Sequence, residues 1–199
     1  MPIPTRAYDR SLNAEIERLL YQVDVVCQDA EGLLNGLDQQ QVNWSPAPGS
    51  WSIAQNLQHL NLTNKFFLAN LEKVVAYGRA AGRLAGGPYS YSLLSRWMLK
   101  IVQPPAKTKF KAPKSFQPQQ EIGLEALHAT WTQSHDTLRE LIQASNGLDL
   151  VGIKVASPVT SLLKYNLGMA FWIITAHDRR HLAQAREVRN HSAFPRAVS

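Results

Sequence analysis

Four stretches of roughly 25 residues or more carry apolar side chains at helical spacing, and that pattern limits the chain to few folds. The first covers about residues 8–37, where Leu12, Ile16, Leu19, Leu20, Val23, Val26, Leu33, Leu34 and Leu37 recur. Gly36 and the polar run Asp38–Gln41 weaken it, and the loop QQQVNWSPAPGSWS follows with Pro46, Pro48 and Gly49. The second opens at Ser52, which with Gln55 three residues on fits a capping box. Its apolar face runs Ile53, Leu57, Leu60, Phe67, Leu68, Leu71, Val74 and Val75, up to Gly78 and Gly82. The third spans about 119–145, with Ile122, Leu124, Leu127, Trp131, Leu138, Leu141 and Ile142, and the fourth about 160–191. Regular strand alternation is absent. The expectation is a single all-α domain over 1–199, a four-helix bundle whose uneven connections admit a crossover topology.

Residues 81–118 break the pattern and read as an insertion between helices two and three. GRLAGGPYSYS is rich in turn formers, SLLSRWMLKIV predicts a short amphipathic helix, and QPPAKTKFKAPKSFQPQ carries too much Pro and Lys to be regular. The insertion also holds most of the charge asymmetry. From Lys73 to Gln120 there is no Asp or Glu, against nine Lys and Arg. The formal charge of the 199-residue chain is +6, yet the rest of it, which carries all 15 acidic residues, is net negative. Basicity is therefore regional, and weak evidence that the whole fold binds nucleic acid. Lys107, Lys109, Lys111 and Lys114 interleave with Phe110 and Phe116, a composition able to bind single-stranded nucleic acid or to press onto an anionic membrane. A solvated loop is the preferred reading, because no recognised nucleic-acid motif accompanies it. No run reaches ~18 apolar residues, so no spanning helix is expected, and with the insertion read as a solvated loop no membrane partner is expected either. The polar start MPIPTRAYDRSLNAE lacks the apolar core of a signal peptide. The single cysteine, Cys27, is expected as a small buried hydrophobe in a cytoplasmic protein. The apolar WMLKIV segment is a candidate homodimer contact.

The chemistry concentrates in AHDRRHLAQ, residues 176–184. His177 and His181 are one helical turn apart, with Cβ atoms ~5–6 Å from each other, so both imidazoles can reach one ion. With six histidines in the chain such a pair also arises by chance, and a metal site needs a third ligand. His59 lies on the inward part of helix two, between Leu57 and Leu60, and joins the pair if helix two packs beside helix four. His128 and His135 are seven residues apart, too far to share an ion easily, and are expected to face solvent or an interface. His191 is expected at the surface.

WSIAQNLQHL, with Trp51, Ser52, His59 and Leu60, resembles the helix-two signature of DinB-like proteins of the YfiT/DinB superfamily. HDRRHLAQAREVRNHSAFP, with His177, His181, Gln184, Phe194 and Pro195, resembles that family's last helix. The likeness covers the whole chain in order and spacing. It implies a four-helix bundle holding a divalent metal on three histidines, here His59, His177 and His181. The long basic insertion departs from the family pattern. The resemblance further implies a metal-dependent hydrolase or a transferase using a low-molecular-weight thiol, with a small-molecule substrate. A non-catalytic metal-binding or interaction bundle is the alternative.

Three neutral imidazoles leave coordination positions open, where a bound water or thiol is acidified. Imidazole suits Zn, Ni, Fe and Mn alike. The pattern is HDRRH and not HExxH, so the glutamate of a metalloprotease is missing. Asp178 is ~100° around the helix from His177 and is expected at the surface or behind the ligands. Gln55, Asn56 and Thr63 are candidates to hydrogen-bond a ligand or water. Thiol transfer is slightly favoured, because it needs no protein base. Arg179 and Arg180 are expected on the outward face. Trp44 and Trp51 are expected to pack over the start of helix two, and Trp97, Trp131 and Trp172 in the core or at an interface.

Overall fold

The computed structural model describes residues 12–104, 112–158, 160 and 163–195. Its helices are α1 (Ala14–Leu34), α2 (Gln39–Asn43), α3 (Ile53–Ala80), α4 (Leu93–Val102), α5 (Leu124–Ala144) and α6 (Leu167–Arg189). The four long ones form the expected all-α bundle. α1 and α3 each pack against both α5 and α6, so they occupy opposite corners. Helices one and two of the sequence reading are therefore diagonal, which settles the topology that periodicity left open. The arrangement also sets α3 directly beside α6.

The first helix is shorter than its apolar pattern. Asn13 caps α1 by accepting from the Glu15 amide at 2.8 Å, and Gly36, at φ 74°, turns the chain after Leu34. The run Asp38–Gln41 then starts α2 instead of a loop. The Asp38 carboxylate takes the Gln41 amide while the Gln41 side chain takes the Asp38 amide. α3 begins where the sequence places it, with Ser52 and Gln55 forming the same reciprocal pair. α5 starts at Leu124, later than expected. Residues 119–122 stay out of the helix because Gln55 and Gln58 take up the backbone groups of Gln119, and Gln39 and Asn43 those of Ile122.

α6 likewise starts at Leu167 and not near 160. Ahead of it, β1 (Lys154–Ala156) and β2 (Lys164–Asn166) pair antiparallel, with Val155 opposite Tyr165. This corrects the expectation of no strand. Three residues a side are too few to display an alternation, and the ribbon is held by burial of Val155 against the bundle.

Within the insertion, α4 matches the predicted short helix, with Ser92 as N-cap. A 3-10 turn at Lys114–Phe116 corrects the expectation that the Pro/Lys run is wholly irregular. Lys107, Lys109, Phe110 and Lys111 lie outside the described residues. The insertion is fastened to the bundle. Tyr89 donates to the Leu148 carbonyl at 2.9 Å, and Tyr91 and Trp172 both donate to Glu15, at 3.0 and 2.8 Å. Tyr91 crosses α6 at Gly168, where an added Cβ would collide with its hydroxyl. No described helix is long and apolar enough to cross a membrane.

Candidate metal centre

Helical register on α3 puts Asn56, His59 and Thr63 on one face, and register on α6 does the same for His177 and His181. Packing of α3 on α6 brings the three imidazoles together. Their ring centroids lie 5.2 Å apart for His59 and His177, 4.6 Å for His59 and His181, and 4.7 Å for His177 and His181. One ring nitrogen from each lies within 4.8 Å of the others, and among the described residues no Asp, Glu or Cys joins them. Nitrogens at ~2.1 Å around a tetrahedral ion stand ~3.4 Å apart, so small ring rotations suffice to close on an ion.

Hydrogen bonds decide which nitrogens are free. His59 Nδ1 lies 2.7 Å from the Phe116 carbonyl oxygen, which can only accept. Nδ1 therefore carries the proton, and Nε2 keeps its lone pair. His181 Nδ1 lies 3.1 Å from Asn56 Oδ1. The Asn56 amide cannot turn over without cost, because its Nδ2 donates to the Ser52 carbonyl at 2.9 Å. So His181 also donates through Nδ1 and leaves Nε2 available. Acceptors behind ligating histidines fix tautomer and ring orientation in this way.

Burial keeps the rings neutral. It pushes the His177 pKa down to about 4, with the neighbouring His59 adding to the effect. Burial lowers His181 too, helped by His177, His59 and the Arg180 charge. For His59 burial again dominates, and the Phe116 bond opposes it. Neutral imidazole is the form that binds a metal. Trp51 does more than pack over the helix start: it lies against His59 and His181, with centroids 5.0 and 5.8 Å away.

Several expectations need correction. His135 is fully buried, not solvent-facing: Nδ1 meets the Trp131 carbonyl at 2.9 Å and Nε2 meets Asp178 Oδ2 at 3.2 Å. Asp178 is not at the surface either; it is fully buried, and Asn64 donates to its Oδ1 at 3.1 Å. Arg180 is buried beside the imidazoles, with Nη1 3.4 Å from the Ile101 carbonyl, and Arg179 is partly buried against Gln22. Thr63 bonds the His59 and Leu60 carbonyls of its own helix, and Gln55 is occupied by the cap and Gln119. Of the three polar candidates, only Asn56 meets an imidazole. Trp97 is exposed. Cys27 is partly buried, and burial raises its thiol to about 11. His128 and His191 are exposed, as expected.

The sequence reading missed the Phe116 carbonyl. Nothing local points to it, since 57 residues separate it from His59. His135 did carry a signal: it follows Trp131 by four residues and precedes Leu138 by three, squarely on the apolar face of α5.

Neither the curated proteins nor the solved structures compared with this chain include a significant match. A family model described as the DinB superfamily matches residues 22–185, a span that takes in α3, α5, all three converging histidines and most of α6. By its bundle and by that match over most of its length, the chain belongs to the DinB superfamily.

Proposed function

We propose that His59, His177 and His181 hold a divalent metal ion, and that the chain is a metal-dependent enzyme acting on a small molecule. The observation that carries this reading is the pair of acceptors, the Phe116 carbonyl and Asn56 Oδ1, which fix His59 and His181 as Nδ1–H tautomers, so that each Nε2 carries a lone pair among buried neutral rings. A core histidine with a purely structural role is usually satisfied at its polar atoms. Zn, Ni, Fe and Mn all suit imidazole ligands. A bound ion supplies Lewis acidity, which brings the pKa of a coordinated water or thiol toward neutrality.

The protein's own groups bind, orient and shield. Nδ1 of His59 and of His181 retain their protons, so these rings act as ligands and not as general bases. Trp51 covers two of the rings and restricts water on that side. Asp178, next to His177 in sequence, is committed to Asn64 and His135 and is not placed to take a proton from a substrate. No carboxylate of the described residues joins the three rings, which favours transfer of a low-molecular-weight thiol, whose thiolate needs no protein base, over hydrolysis.

Elemental analysis of protein purified without an affinity tag tests the centre. Close to one metal per chain in wild type, and almost none in His59→Ala or His177→Ala, supports it. Equal metal in all three, or none in wild type supplied with metal, removes it. Screening the loaded protein with thiols and electrophiles, beside a panel of esters and amides, separates transferase from hydrolase.

A further inference from the structure

α4 is amphipathic, and its apolar side is exposed among the described residues. Leu93, Leu94, Trp97 and Ile101 are 82%, 64%, 59% and 37% exposed. Positions 93, 97 and 101 follow one another at four-residue steps, with 94 alongside, so the four form one strip along the helix. The other side of α4 rests on α6, with Leu99 packed against the bundle core. No residue of α4 is fully buried. Arg96 and Lys100, both exposed, edge the apolar strip one turn apart.

We infer that this face lies in the plane of an anionic lipid bilayer, with Leu93, Leu94, Trp97 and Ile101 in the acyl boundary and Arg96 and Lys100 among the headgroups. Charge selects this occupant over the others. A second copy docking α4 on α4 would set Arg96 and Lys100 against their own equivalents, in a stretch with no acidic residue from Lys73 to Gln120 to relieve them. Nucleic acid would satisfy the cations but offers nothing to three exposed aliphatic side chains. An anionic bilayer meets both needs, since apolar insertion and headgroup attraction add. The expectation of no membrane partner rested on a solvated insertion and on the absence of a spanning segment. A ten-residue helix lying flat needs none, so the proposal revises that expectation. It is independent of the metal reading.

Flotation of the full-length chain with vesicles tests it, using phosphatidylcholine alone and equimolar phosphatidylcholine–phosphatidylglycerol. The expected result is flotation with the anionic vesicles only, weakening as salt is raised. Leu94→Ser with Trp97→Ser, and separately Arg96→Glu with Lys100→Glu, should each lower binding at least about tenfold. Both double variants should keep the wild-type circular dichroism and melting temperature, because they alter exposed side chains. Absence of flotation in wild type overturns the proposal, as does binding indifferent to both double variants. So does a wild-type dimer in sedimentation equilibrium that the Leu94/Trp97 variant dissolves while vesicles remain unbound, which would assign the strip to a second copy. Oligonucleotide binding lost only in the Arg96/Lys100 variant, without flotation, would assign it to nucleic acid.

Discussion

His177 and Asp178 are neighbours in the chain and belong to two different polar sites. His177 joins His59 and His181, a set that no carboxylate joins among the described residues. Asp178 joins His135 and Asn64, where ring, carboxylate and amide answer one another inside the bundle. Successive residues on a helix diverge by ~100°, so one turn of α6 serves both. The first site, on the reading proposed above, is completed by a metal ion. The second is satisfied within the chain except at Asn64 Oδ1, which is buried without a partner among the described residues, and its bonds tie α3, α5 and α6 together.

That contrast predicts opposite responses to mutation. The largest effect on folding is expected at the closed site. His135→Leu strands the Asp178 carboxylate in the core with one partner fewer, at a cost of about 3–5 kcal/mol. This is a large part of the 5–15 kcal/mol typical of a domain, and urea unfolding of metal-free protein measures it. His177→Ala, at the open site, should change metal-free stability by only about 1 kcal/mol or less while abolishing metal loading. If His177→Ala unfolded the metal-free protein as readily as His135→Leu, the contrast would be wrong.

Asn56→Ala sharpens it further. The His181 ring would lose the acceptor that orients it, and metal affinity should fall about 10–100-fold in a competition titration, with the bundle still folded. Acid should also act through the open site. The folded protein holds His177 near 4 and lowers His59 and His181, whereas the unfolded rings titrate near 6.5. Below 6.5 the unfolded chain takes up protons that the folded chain refuses. Metal-free stability is thus intact above that pH and declines as pH drops toward 4. Thermal melts should show a shallower decline in His177→Ala than in wild type. Ser52→Ala tests the frame that carries both sites: losing the cap of α3 should cost about 1 kcal/mol.

Much of this was readable in the sequence, for identifiable reasons. Ser52 and Gln55 mark the start of α3 because capping is a local interaction three residues long. The long helices show through their periodicity, and their apolar stripes betray the bundle. His177 and His181 are visible as a pair because one turn of helix suffices to align them. His59 needed a tertiary fact, the packing of α3 on α6, and only family resemblance supplied it. Asp178 and His135 were misplaced because a polar residue on an apolar stripe was assigned by its polarity and not by its position. Phe171, Ile174 and Asp178 follow the buried face of α6 at steps of three and four. The ribbon of β1 and β2 was too short to show a period, and the end of α1 depended on one glycine conformation.

The bond from His59 to residue 116 has a bearing on how such a protein would be dissected by mutagenesis. The atom that accepts this hydrogen bond is a main-chain oxygen, and every amino acid offers the same one. Exchanging Phe116 side chains one by one would leave the acceptor chemically intact unless the turn itself shifted. The ring matters because it is buried and meets Phe66 edge-on at 6.1 Å, holding the turn in place. A scan of single substitutions would therefore credit residue 116 with packing alone, and overlook that a loop remote in sequence governs the orientation of an imidazole.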